Sequence, residues 1–111
     1  MTCRLCNQHV LISAIPDVSR LLVDPLRARI VERLAGGPAC TCHLVEDTGA
    51  KQPNVSGHLR RLRDAGLVVA ESHGRFTYYR LLPDALEAAA SELAGLAEQA
   101  RANAGQRREC P

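Results

Sequence analysis

The sequence has no Trp, one Phe, two Tyr and one Met among its 111 residues. Large rings therefore cannot build the interior. Ala, Leu and Val must do so, which favours helices packed closely on helices. Long apolar runs are also missing. The stretch "VLISAI" is too short for the core of an export signal and has no cleavage pattern after it. No segment approaches the ~20 apolar residues of a membrane span. A cytoplasmic protein without a membrane partner is expected. The sequence contains no Ser/His/Asp set, phosphate loop or paired-carboxylate pattern, so no enzyme of those kinds is indicated. Nor is there an internal repeat or a low-complexity linker. A chain of this length fits one domain with a modest core, and one so rich in Ala and Leu is expected to bury further surface against a second subunit.

Net charge is only +2, but its placement is uneven. Residues 51–64 carry Lys51, Arg60, Arg61 and Arg63 against the single acid Asp64. Residues 84–98 carry Asp84, Glu87, Glu92 and Glu98 and no base. Polyanions bind local patches rather than averages, so the first block is a candidate contact for nucleic acid.

The order of elements supports that reading. A first helix is expected through "HVLISAIPDVSRLLV", with Pro16 breaking it or starting a second piece. "DPLRARIVERLAGG" has Asp24 to cap it, Pro25 for its first turn and Gly36–Gly37 to end it. Its apolar stripe is Leu26, Ile30, Val31 and Leu34. "TCHLVEDTGA" reads as a short helix capped by Thr41 and stopped by Gly49. "QPNVSGHLRRLRDAG" is a second helix, ended by Gly66. "LVVAESHGRFTYYRLL" alternates like a β-hairpin around an "HGR" turn. "PDALEAAASELAGLAEQARAN" is a long final helix whose stripe is Leu86, Ala89, Ala90, Leu93, Leu96, Ala97 and Ala100; such small residues suit a dimer seam. The expected fold is mostly α with a β-hairpin, a dimeric winged helix-turn-helix over residues 9–103, flanked by tails at 1–8 and 104–111.

Helix, tight turn at Gly49 and helix match helix-turn-helix spacing, and the hairpin supplies a wing. In the second helix Val55, Leu59 and Leu62 share the face that must be buried. The outward face then carries Pro53, Asn54, Gly57, Arg60 and Arg61, flanked by Ser56 and His58, with Lys51 and Gln52 at its start. Asn and Gln pair with adenine, and Arg with guanine or phosphate. Lys51 and the helix N-terminus suit a phosphate. Gly57 lets the helix lie close to a groove, at some loss of helix propensity. His73 and Arg75 in the wing are candidate contacts to backbone or minor groove.

There are five cysteines: Cys3, Cys6, Cys40, Cys42 and Cys110. In a reducing compartment, clustered cysteines point to metal or redox chemistry before structural disulfides. Within an ideal helix, residues two apart point about 200° apart, so Cys40 and Cys42 cannot easily share one ion there. In an extended segment alternate side chains point the same way. Joint ligation is therefore expected to require an unwound, extended start to the helix.

The runs "DPLRARIVERLAGG", "CTCHL", "QPNVSGHLRRLRDAGLV" and "HGRFTYYRL", in that order over roughly residues 18–82, resemble the ArsR/SmtB metal-sensing repressors. The pattern Ser56, His58, Leu59, Leu62, Gly66, Leu67 is quite specific for that family. The resemblance implies a homodimer formed through the first and last helices, bound to double-stranded operator DNA and released by metal. Cys40 and Cys42 match the Cys-x-Cys of members that respond to As(III)/Sb(III) or to Cd(II)/Pb(II). Val45 stands where arsenite-responsive members often carry a further cysteine. Cys3 and Cys6 match, with shorter spacing, the N-terminal pair that cadmium/lead members recruit from the other subunit. Cys110 is a further candidate with no family counterpart. His43 and His9 are expected at the surface rather than as ligands. The last helix lacks the acidic and histidine ligands of zinc-responsive members. Two other readings of the cysteines stay open: a thiol redox switch on a DNA-binding repressor, and, against the missing βαβ pattern, a small thiol oxidoreductase built on "CRLC".

Overall fold

Asp24 and Pro25 begin a helix for the reasons their chemistry dictates. The Asp24 carboxylate accepts from the Arg27 backbone N–H at 3.1 Å, and Pro25 occupies the first turn, where no N–H is needed. The computed structural model describes residues 15–110. Cys3, Cys6, His9 and the start of the expected first helix lie outside them. The described elements are α1 (Ile15–Leu22), α2 (Pro25–Ala35), β1 (Ala39–Cys40), α3 (Thr41–Thr48), α4 (Gln52–Asp64), β2 (Val68–His73), β3 (Phe76–Leu81) and α5 (Pro83–Ala102). No helix among the described residues is long and apolar enough to cross a membrane.

The turn between α3 and α4 is held at three points. Gly49 adopts φ +74°, a left-handed conformation that favours glycine, and its N–H bonds Val45 O at 2.9 Å. Thr48 Oγ1 donates back to Leu44 O at 2.7 Å and accepts from Ala50 N–H at 3.2 Å. Each helix then sends one apolar stripe inward. Ile30 and Leu34 from α2, Leu44 from α3, and Val55, Leu59 and Leu62 from α4 meet Leu67 and Val68 in a single core.

The hairpin is antiparallel in the register Val68↔Leu81 to His73↔Phe76. Gly74, at φ +64°, is the first residue of its two-residue loop, as a type II′ turn requires. Leu82 N–H donates to Leu67 O at 2.7 Å and closes the root of the hairpin. A third strand, absent from the sequence reading, completes the sheet in the order β1-β3-β2, with Ala39 opposite Tyr79 and Cys40 opposite Tyr78. A two-residue strand has too few positions to show a period, so only its partner reveals it.

Helix α5 packs on α1, Ala89 is buried, and Ala85 and Leu86 pack against the core. Farther along, Leu93 and Leu96 are 54% and 56% exposed. The stripe read from the sequence is therefore partly used within the subunit and left bare beyond it.

Candidate functional site

Cys40 ends β1 and, at φ −89° and ψ 168°, is still in extended backbone. It is the residue that precedes the first helical residue of α3, so it holds the N-cap position expected for Thr41. This removes the need for unwinding. One thiol leaves a strand, the other leaves the first turn of a helix, and the 200° separation of a continuous helix never arises. Ligand atoms of Cys40, Cys42 and His43 all lie within 4.8 Å of one another. Cys40 is buried and Cys42 is exposed.

His43 is exposed, as expected, but its imidazole turns back to the thiols. Nδ1 accepts from the Cys40 backbone N–H at 3.4 Å and lies 3.4 Å from Cys40 Sγ. This is a capping box with histidine at its third helical position. The legible signal was the i, i+3 spacing from Cys40 to His43; assigning the cap to Thr41 concealed it.

The two thiols ionise unequally. Burial opposes charge on Cys40, but hydrogen bonds from the Cys42 thiol and from the N–H groups of His43, Cys42 and Cys40 outweigh it. The net effect holds Cys40 below the ordinary thiol value of 9.0. The Cys42 thiol is pushed above 9.0, first by its hydrogen bond to Cys40, then by burial and by the neighbouring charge. The first thiolate therefore forms on the buried sulfur, and the exposed one holds its proton more firmly. Cys110 lies beyond α5, exposed and outside this cluster.

Directly after the α3–α4 turn, α4 exposes Lys51 at its cap and Gln52, Pro53, Asn54, Ser56, Gly57, Arg60 and Arg61 along its outer side. His73 and Arg75 are exposed at the wing tip. His58, expected on the flank of this surface, turns its ring inward. It is half-buried, and its Nδ1 accepts from Arg27 Nε at 3.2 Å while Nε2 lies 3.7 Å from Asp24 Oδ1. With Nδ1 accepting, the ring proton sits on Nε2, facing the carboxylate. Arg27, a buried cation that the sequence did not single out, ties α2 to α4 through this imidazole. Its position on the buried side of α2, next to Ile30 and Val31, was the available signal.

Over residues 24–69 the sequence matches the family described as "Bacterial regulatory protein, arsR family". It is 41% identical over 81 residues to the HTH-type transcriptional regulator CmtR of Mycobacterium tuberculosis (strain ATCC 25618 / H37Rv), spanning 73% of this chain and 69% of that one. The chain belongs to the ArsR family.

Another ArsR-family relative, the arsenic resistance transcriptional regulator ArsR1 of Pseudomonas putida, is 39% identical over 70 residues, covering 62% of this chain. The chain spans 55% of that relative's length. The NMR structure of the cadmium metal-sensor CMTR from Mycobacterium tuberculosis superposes with a TM-score of 0.52 at 42% identity, over 58% of this chain and 66% of that one. An ArsR-like transcriptional regulator from Rhodococcus sp. RHA1 gives a TM-score of 0.72 at 27% identity, over 82% and 87% of the two chains. In the ArsR-family frame, α3 and α4 are the helix-turn-helix and β2–β3 is the wing.

Proposed function

We propose that this ArsR-family protein is a cytoplasmic repressor that binds operator DNA as a homodimer and releases it when a soft ion binds its thiolates. The ion is As(III)/Sb(III) or Cd(II)/Pb(II). The observation that carries the reading is the convergence of Cys40 and Cys42 at the start of the helix on which α4 rests. Thiolates select soft ions, and here they do so at the support of the exposed basic helix.

Lys51, Gln52, Pro53, Asn54, Ser56, Gly57, Arg60 and Arg61 form the reading surface, with His73 and Arg75 from the wing. Phosphate contacts of Lys51 and the arginines position the helix; Gln52 and Asn54 read base edges. His58 serves this surface from behind, by holding α4 on α2. The bare Leu93 and Leu96 of α5 supply the dimer seam. Cys3 and Cys6, and Cys110 as a further candidate, are available to complete the ion's coordination, from the same subunit or the other.

The ion favours an arrangement of the dimer that fits DNA poorly. Reciprocity then requires DNA to weaken ion binding by the same factor. The test is a titration of a duplex, selected by the wild-type protein from a random pool, against arsenite, cadmium, lead and zinc. Cys42→Ser keeps DNA affinity and loses the response. A variant that still leaves the duplex on ion addition removes the thiol pair from the mechanism.

A further inference from the structure

The imidazole of His43 is the third member of the thiol cluster, and the proposed function gives it no role. Its Nδ1 is 3.4 Å from Cys40 Sγ, and the three ligand atoms fall within 4.8 Å of one another. Bonds of about 2.3 Å to sulfur and about 2.0–2.1 Å to nitrogen let one ion reach such a set with small side-chain rotations. Two thiolates and an imidazole also discriminate by charge and softness. Trivalent arsenic and antimony take thiolates, whereas imidazole suits divalent borderline cations.

Resting on the reading of this site as an ion sensor, we infer that Cys40, Cys42 and His43 form a local site for a divalent thiophilic cation such as Cd(II) or Zn(II), with a further position open to a thiolate or water. The same imidazole connects that site to the structure around it. Nδ1 has one lone pair, and it accepts the Cys40 N–H at the start of α3. Once Nδ1 binds a cation, that N–H loses its acceptor at the end of α3. On its other side the His43 ring meets Tyr78 edge-on, with centroids 6.1 Å apart. Tyr78 lies opposite Cys40 in the sheet and meets His73, near the wing tip, at 5.3 Å. These spacings lie within the range of favourable ring pairs. A shift of His43 toward an ion therefore acts on the α3 cap and on the wing together.

The test uses the full chain and the variant His43→Gln. Glutamine at this position retains an acceptor for the Cys40 N–H, so α3 stays capped, but it removes the imidazole. Cadmium and arsenite are titrated separately, following thiolate-to-metal absorption, and the His43 ring resonances are followed on adding cadmium. The expected result is a loss of cadmium affinity of about tenfold or more, with arsenite affinity unchanged and the wild-type ring resonances displaced by cadmium. Equal cadmium affinity in His43→Gln, or an equal loss for arsenite, overturns the inference. Cys42→Ser separates the two claims. If it abolishes the response to ions while His43→Gln leaves it intact, only this inference fails; if Cys42→Ser also responds normally, the sensor reading fails with it.

Discussion

Gly57 lies in the middle of α4, on the side turned to solvent, and nothing inside the subunit asks for glycine there. A Cβ built at this position meets no atom within 4 Å beyond its chain neighbours and the backbone of its own helix, and its φ is not in the left-handed range. Gly57→Ala should therefore stabilise the isolated protein by the helix propensity difference, about 0.8–1.0 kcal/mol. For domains near this size that raises Tm by roughly 4–8 °C per kcal/mol, measured by circular dichroism at fixed protein concentration. The reading surface predicts the opposite sign on DNA. If the α4 backbone lies against a groove, an added methyl overpacks the contact by about 1–3 kcal/mol. That corresponds to a loss of roughly 5- to 150-fold in affinity, read by fluorescence anisotropy with the selected duplex at constant salt. A variant that melts higher and binds the duplex as tightly as wild type would falsify close approach at Gly57, and with it the assignment of this side of α4 to DNA.

Three further outcomes are expected. Leu93→Glu combined with Leu96→Glu places charge on the bare stripe of α5, so sedimentation should show monomers at concentrations where wild type is dimeric; an unchanged mass would move the seam elsewhere. His58→Ala leaves the buried Arg27 Nε without its acceptor, lowering stability by about 1–3 kcal/mol in urea unfolding, while His58→Gln, which keeps an acceptor, recovers part of it; equal stability of the two would show that the bond contributes nothing. Cadmium binding should tighten as pH rises, because thiol protons must leave. The number released per ion should fall from two toward one as pH passes the lowered value of Cys40, while Cys42, held above 9.0, still surrenders its proton. Simultaneous loss of both steps near one pH would contradict the unequal pair.

The helices were legible because their signals are local. Asp24–Pro25 at one start, Gly49 and Gly66 at two ends, and the stripe through Val55, Leu59 and Leu62 each involve residues within a few positions of one another. The hairpin was legible for the same reason, from alternation around Gly74. Contacts across distance were not. His58 meets Arg27 across 31 positions, and its flank position on a helical wheel could not anticipate a neighbour from another helix. Strand β1 exists only through Tyr78 and Tyr79. Its presence carries extended backbone as far as Cys40, which moves the cap by one residue. That single shift brings His43 onto the thiols and lets both sulfurs approach one point without distortion of the helix.

The hydrogen bond from Leu82 to Leu67 makes the arm of the molecule leave the body and return to it at one place. Outward of Tyr78, where β3 no longer pairs with β1, the loop at Gly74–Arg75 can change length without disturbing the buried Val68 or the pairs of β1 with β3. Extra residues at Gly74–Arg75 would lengthen the arm's reach, and each doubling of such a loop costs only about 0.6 kcal/mol of closure entropy. The reach of a wing built this way is thus adjustable at its tip, while the strand pairs nearer its root stay as they are.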